Sequence, residues 1–199
     1  MKKNNPYERA FEAYMQFLGL PCLGTREQKR NVIDENLDDS LKNFDFIVSS
    51  HQISAPKSWS ENEGTNYLDD LSIGNGPSAL PPVWLIDIKG RKFPSGHKSP
   101  QYWRNWIAEE DLLCLTRWES IFGLNFHGLF VFVYDVCGTK FPVPEHRLFT
   151  FEGARYAFFA VPLMIYRDHK RVLSPQWQTV TMPTDLFRKY AVSLDEFFK

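Results

Sequence analysis

The spacing of apolar residues along the chain predicts an alternation of helical and extended segments. Apolar residues recur at helical spacing from Tyr7 to Leu18, and Gly19 and Pro21 end the helix that this pattern predicts. Shorter runs rich in β-branched and aromatic residues predict strands. In chain order, the segments are a helix over 7–18, strands at about 43–49 and 83–90, a helix over about 102–122, strands at 129–136 and within 154–166, and a helix over about 184–198. This order favours an α/β fold in which helices flank a mixed β-sheet.

The run Val83–Gly90 is the most informative of these strands, because it carries two charged residues in an apolar sequence. Side chains alternate across a strand, so Asp87 and Lys89 share one face, and their apolar neighbours point the opposite way. The first face also carries Val83 and Leu85, and the second carries Trp84, Ile86 and Ile88. A strand that is apolar on both faces belongs to the middle of a covered sheet. Ionised side chains in that position need a charged partner or a metal ion.

A second carboxylate, Asp45, stands in the apolar run Phe44–Val48, which predicts another core strand. Two carboxylates that converge repel each other unless a cation lies between them. Mg²⁺ prefers oxygen ligands of this kind, and Mn²⁺ accepts the same set. We therefore expect Asp45 and Asp87 to bind Mg²⁺ directly, with the backbone carbonyl of Ile88 as a third ligand. Metal-bound water is acidified, and Lys89 is expected to orient or deprotonate it, or to stabilise charge on a phosphate.

Three further acidic residues are candidates for supporting roles. Glu8 lies beside the apolar stripe of the first helix, one turn from Glu12, so both can face the edge of the sheet. We take Glu8 as a catalytic and metal-binding candidate and place Glu12 second, since a helix glutamate is more often solvated. Asp111 lies on an apolar helix stripe, which is unusual for a charge. Its predicted role is to orient Lys89 or a water molecule, or else to pair with a nearby arginine.

A basic stretch follows the strand that carries Asp87 and Lys89. No acidic residue occurs from Ile88 to Ala108. Aromatic residues are interleaved with the cations, as in segments that hold a phosphate backbone and stack on bases. A solvated loop with ordinary core aromatics explains the same pattern. The candidate nucleic-acid contacts are Arg91, Lys92, Lys98 and Arg104.

Composition narrows the class of protein without deciding its function. With 199 residues, 43% of them hydrophobic, the chain is long enough for one domain spanning residues 1–199. Residues 51–82 are rich in Ser, Asn, Gly and Pro, and they predict an insertion between two core strands. The three cysteines form no CxxC pair, no apolar run is long enough to cross a membrane, and the opening residues lack the apolar segment expected of a signal peptide. We therefore expect a cytoplasmic protein, whose net charge of −1 leaves any argument for DNA binding to local features.

Together, Glu8, Asp45 and the triplet Asp87–Lys89 resemble the motifs of the PD-(D/E)XK nuclease superfamily. The likeness is to branches with a glutamate on the first helix, such as Holliday-junction resolvases and Mrr-type restriction enzymes. It covers roughly residues 7–135, with the motifs in the expected order. The opening is also similar to an uncharacterised family named for the signature H-Y-E-x-A-F-E, although Pro6 stands where that signature has His.

That resemblance implies a restriction-endonuclease-like fold, with a four-stranded mixed core sheet between helices. It also implies that Asp45, Asp87 and Lys89 are the active residues and that Glu8 supports the metal. The predicted function is Mg²⁺-dependent hydrolysis of phosphodiester bonds in DNA by an endonuclease. We expect no membrane partner, and a homodimer is a possible assembly. The alternative is a catalytically inactive module on the same fold that binds nucleic acid or a partner protein.

Overall fold

The computed structural model describes residues 5–25, 41–49, 81–94, 103–139 and 141–199. The predicted insertion at 51–82 lies outside these ranges except for its last two residues. Within the ranges, no helix combines the length and apolar character needed to cross a membrane. The described elements are α1 (Pro6–Phe17), β1 (Cys22–Gly24), β2 (Phe46–Ser49), β3 (Val83–Phe93), β4 (Ile107–Ala108), α2 (Glu109–Phe122), β5 (Phe126–Val136), a 3₁₀ turn (Glu145–Arg147), β6 (Phe149–Phe151), β7 (Ala154–Pro162), α3 (Leu163–His169), β8 (Arg171–Ser174), β9 (Thr179–Thr181), α4 (Thr184–Tyr190), β10 (Val192–Ser193) and α5 (Leu194–Phe197).

The larger of two sheets is mixed and runs in the order β1–β2–β3–β5–β7–β10, with β6 also paired to β7. Strands β3 and β5 are parallel from Val83 opposite Phe126 to Phe93 opposite Val136, and the other pairings are antiparallel. A parallel pair needs a crossover connection, which here contains α2. A smaller antiparallel sheet has the order β4–β9–β8. The predicted mixed α/β class, with helices flanking the sheet, is confirmed.

The larger sheet separates two hydrophobic cores. On one face, α1 packs through Phe11 and Met15 against β3 and β5, and α5 adds to this core. On the other face, α2, α3 and α4 cover the sheet. Leu85 belongs to the α2 core, whereas Trp84, Ile86 and Ile88 belong to the α1 core. The predicted alternation along β3 is therefore confirmed, and it places Asp87 and Lys89 on the α2 face.

The position of α1 depends on Gly90. A Cβ atom at Gly90 would lie 2.2 Å from Cδ2 of Tyr7, which real Cβ atoms do not tolerate. The ring of Tyr7 therefore rests directly on the backbone of β3. This contact fixes the first turn of α1, which also carries Glu8.

Two predicted helices have different limits in the structure. The helix predicted from about residue 102 begins at Glu109, since Ile107 pairs with Val180 of β9 as an extended residue. The helix predicted over 184–198 is divided by β10, where Val192 pairs with Ala160 of β7. In both places a pairing with a distant strand overrides the local helical pattern. The strand predicted from about residue 43 begins at Phe46, so Asp45 precedes it rather than lying within it.

Candidate active site

Asp45 is held against β3 by two hydrogen bonds to the backbone of that strand. Its N–H donates to the carbonyl of Ile86 at 2.8 Å, and its carboxylate accepts the N–H of Ile88 at 2.7 Å. The carboxylate therefore lies beside β3, where it interacts with Asp87. Burial and, after it, the charge of Asp87 raise the pKa of Asp45 from an ordinary 3.8 to about 7, while the hydrogen bond from Ile88 opposes the shift.

Asp87 and Lys89 form an ion pair on the α2 face of β3. Nζ of Lys89 lies 2.8 Å from Oδ2 of Asp87, and the two side chains are only 10% and 13% exposed. Burial raises the pKa of Asp87, and the charge of Lys89 opposes that rise. Folding thus disfavours the ionised form of both Asp45 and Asp87. An added cation would stabilise two interacting carboxylates of this kind.

Asp111 provides Lys89 with a second carboxylate. It lies in the first turn of α2 with its side chain 6% exposed, and Oδ2 accepts a hydrogen bond from Lys89 at 2.6 Å. The same oxygen accepts the N–H of Ala108 at 3.3 Å. Burial disfavours the charge on Asp111, but Lys89 and a hydrogen bond from Lys42 outweigh that effect and lower its pKa. Of the partners that the sequence left open for Asp111, the structure places Lys89 against it.

Lys42 is a member of the site that sequence reasoning missed. Its Nζ forms an ion pair with Oδ1 of Asp111, while half of its side chain remains exposed. Lys42 and Asp111 line a small cavity together with Asp87, Phe44 and Trp118. No motif marks Lys42, because it stands in a polar segment before β2 and reaches the site only through the fold. It places a second cation at the solvent side of the cluster.

The two glutamates of α1 have different surroundings. Glu8 accepts a hydrogen bond from the side chain of Asn5, the residue that caps α1, and its charge contributes to the raised pKa of Asp45. Glu12 is exposed, and its charge acts on Cys22, whose pKa is raised to about 12 mainly by burial. The charges of the two glutamates thus act on different neighbours, that of Glu8 on Asp45 and that of Glu12 on Cys22 of β1.

The residues of the predicted basic stretch have different surroundings in the structure. Arg91 lies over the ring of Trp106 at 4.2 Å and donates hydrogen bonds to the carbonyls of Gly90 and Trp106, so its guanidinium is turned back onto the protein. Lys92 and Arg104 are exposed. By alternation along β3, Lys92 lies on the α1 face, opposite Lys89. Lys98 is outside the described residues.

The donor set at Asp45 and Asp87 fits a magnesium ion. Among the described residues, no three His, Cys, Asp or Glu side chains form a group that could hold a metal. Mg²⁺, however, usually keeps several waters and is bound by one or two carboxylates. The carbonyl of Ile88 points to the same edge of β3 as its N–H, which bonds Asp45. Asp45, Asp87 and this carbonyl are therefore the described groups that could hold such an ion.

The site thus combines Asp45, Asp87, Lys89 and Asp111 at the junction of β2, β3 and α2, with Lys42 at its solvent side. Its chemistry has to be inferred from these residues and from the sequence motifs. No protein-family model, no curated protein and no solved structure matches this chain.

Proposed function

We propose that this protein is a Mg²⁺-dependent nuclease that hydrolyses phosphodiester bonds in DNA. The observation that carries the proposal is the pair of carboxylates Asp45 and Asp87, both with raised pKa, beside Lys89. Carboxylates that resist ionisation destabilise the folded state unless a cation binds them. A site that costs stability in this way is typical of functional residues rather than of packing.

We also infer a restriction-endonuclease-like core for the chain. Strands β1, β2, β3 and β5 are consecutive in the larger sheet and form a mixed set, with α1 on one face and α2 on the other. A four-stranded mixed sheet between helices is what the resemblance to PD-(D/E)XK nucleases implies. Asp45 precedes β2, Asp87 and Lys89 lie on β3, and Glu8 lies on α1, which also supports this inference.

Each residue of the site has a distinct role in the proposed reaction. Asp45, Asp87 and the carbonyl of Ile88 would hold the ion, and the charge of Glu8 would act on Asp45. When bound, Mg²⁺ acidifies a water ligand and stabilises charge on the phosphoryl oxygens. Lys89 releases its bond to Asp87 and donates a hydrogen bond instead to the attacking water or to the phosphate. Asp111 keeps the Lys89 ammonium in place while this exchange occurs, because its own bond to Lys89 is separate.

One observation favours the alternative, a binding module without turnover. Lys89 bridges Asp87 and Asp111, and Lys42 binds Asp111, so part of the negative charge is compensated by lysines. A buried network of this kind can be retained for structural specificity alone. In that case Asp87 would be a partner for Lys89, and the protein would bind nucleic acid or a partner protein without cleaving it.

Cleavage assays separate the two proposals. Plasmid DNA and branched DNA are incubated with wild type, Asp87→Ala and Lys89→Ala in the presence of Mg²⁺, Mn²⁺ or EDTA. Asp195→Ala is the matched control, because Asp195 is a carboxylate paired only with Lys199 at 3.3 Å among the described contacts. The nuclease proposal expects cleavage by wild type and Asp195→Ala that needs metal and is lost in both site variants. If wild type cleaves none of the substrates and Mg²⁺ does not raise its melting temperature, the binding module is the better description.

A further inference from the structure

The hairpin of β8 and β9 presents an exposed aromatic tip. The two strands pair antiparallel, and between them the side chain of Trp177 is 73% exposed. The N–H of Trp177 donates to Oγ of Ser174 at 3.3 Å, and the N–H of Gln178 donates to the carbonyl of Pro175 at 3.2 Å. The turn is therefore organised by its own hydrogen bonds. Val172 is also exposed, at 64%, so the hairpin carries a group of exposed apolar side chains that is typical of a binding surface.

The chain around this hairpin is basic. Between Arg167 and Lys189, five lysines and arginines accompany two aspartates, in a protein of net charge −1. Arg171 begins β8 and is exposed. At the base of the hairpin, the ring of His169 stacks on that of Tyr190 at 4.7 Å, and Nζ of Lys189 lies 5.1 Å from the Tyr190 ring centre. Lys170 forms an ion pair with Glu109 and Arg167 with Asp168, so the exposed Arg171 on β8 is the cation of the hairpin itself that a polyanion could contact.

The hairpin is attached to the end of α2 that carries Asp111. The N–H of Glu109 donates to the carbonyl of Gln178 at 2.8 Å, and Ala108 lies opposite Thr179 in the pairing of β4 with β9. Asp111, two residues beyond Glu109, binds Lys89 of the candidate active site. Glu109, which bonds the hairpin, and Asp111, which bonds Lys89, are therefore less than one helical turn apart. The hairpin is thus anchored beside a residue of the candidate active site.

We propose that the β8–β9 hairpin is a second nucleic-acid contact, in which Trp177 stacks on an unpaired base and Arg171 binds a neighbouring phosphate. The choice of DNA as ligand rests on the nuclease function proposed above. Stacking of a base on an aromatic ring tolerates any sequence, and adjacent cations follow the backbone. The remaining residues of the turn favour this partner over a lipid surface, since a tip that enters a membrane would be largely apolar. These residues are Ser174, Pro175, Gln176 and Gln178.

Fluorescence anisotropy with a labelled single strand and a labelled duplex tests the proposal in EDTA, where cleavage does not interfere. Phe17→Ala is the matched control for Trp177→Ala, because Phe17 is 72% exposed and lies on α1. Arg147→Ala is the control for Arg171→Ala, since it removes one exposed arginine that pairs with Glu196 elsewhere. We expect Trp177→Ala to weaken single-strand binding by about tenfold, and Arg171→Ala to reduce the slope of log affinity against log salt by about 0.7. Both controls should match wild type.

The outcomes separate this inference from the nuclease proposal. If Trp177→Ala binds DNA as tightly as Phe17→Ala, the hairpin is not a contact, whatever the cleavage assay shows. If Trp177→Ala loses binding but wild type cleaves nothing with Mg²⁺, the contact stands and the nuclease proposal fails. Binding of wild type to phosphatidylserine vesicles, lost in Trp177→Ala and without any DNA binding, would assign the hairpin to a membrane surface and overturn the inference.

Discussion

Replacing Asp45 with asparagine is expected to stabilise the metal-free protein at neutral and alkaline pH. The pKa of Asp45 lies at about 7 rather than 3.8, because burial and the charge of Asp87 both disfavour its ionised form. The folded protein therefore holds this proton more tightly than the unfolded chain does. The contribution of Asp45 to stability therefore falls as the pH rises from about 4 to about 7, and the loss from this group is complete above that window.

The size of the effect follows from the same shift. One pKa unit corresponds to about 1.4 kcal/mol, so ionising Asp45 in the folded protein costs up to about 4 kcal/mol. Asparagine keeps the shape of the side chain and an oxygen that can accept the N–H of Ile88, but it carries no charge. Part of the gain is lost because a neutral acceptor bonds more weakly. We expect a net stabilisation of about 2 kcal/mol, which for a chain of this size raises the melting temperature by about 4–8 °C.

Thermal unfolding followed by circular dichroism in EDTA, near pH 4 and near pH 8, measures this difference. Near pH 4 the carboxyl of Asp45 is neutral in the folded protein, so Asp45→Asn and wild type should unfold at similar temperatures. Glu12→Gln is the control, since it removes an exposed carboxylate from α1 and should leave both temperatures unchanged. The reasoning is refuted if Asp45→Asn unfolds at or below the wild-type temperature near pH 8, or if its gain is the same at both pH values.

Three further predictions concern the metal, the lysine and the glycine of β3. Mg²⁺ should raise the melting temperature of wild type more near pH 8 than near pH 5, because the ligands must be deprotonated, and it should have no effect on Asp87→Ala; an equal rise in that variant would place the ion elsewhere. Lys89→Met should lower the free energy of unfolding in urea at neutral pH by about 3 kcal/mol, since it leaves Asp87 and Asp111 facing each other without the lysine. That loss should shrink in acid, and a loss independent of pH would point to packing instead. Gly90→Ala should cost about 1–3 kcal/mol through its clash with Tyr7. It should cost clearly less in a Tyr7→Ala background, and equal costs in the two backgrounds would show that Tyr7 is not the obstacle.

Features of the fold that depend on neighbouring residues could be predicted from the sequence. The two faces of β3 follow from a period of two, so the opposite orientations of Asp87 and Ile88 needed only the local pattern. The helix α1 and the strand β7 could likewise be predicted from the local spacing of apolar residues. The convergence of Asp45 with Asp87 required one further assumption, that both strands lie in the core. Because β2 and β3 do pair, this assumption brings the two carboxylates together.

Features that depend on distant pairings could not be predicted in this way. Ile107 is extended because it meets Val180, which lies far along the chain, and the helical pattern around residue 107 carries no sign of that partner. The ion pair of Lys42 with Asp111 has the same character. The sequence shows the charge of Arg91 and the aromatic residues that follow it, but not that its guanidinium lies over the ring of Trp106. Charge patterns indicate which side chains are available, and the fold decides which of them face outwards.

The two carboxylates of the site are attached to strands of very different length and position. Asp87 belongs to β3, whose parallel register with β5 extends over the whole of Val83–Phe93. Asp45 precedes β2, which has only four residues and borders the short strand β1. In native-state hydrogen exchange, amides of β3 should therefore exchange only through global unfolding, whereas those of β2 should also open locally. Asp87 would then stay in place in the native protein, whereas Asp45 would leave β3 whenever β2 opens. The measured affinity for a cation would therefore include the free energy of pairing β2 with β3.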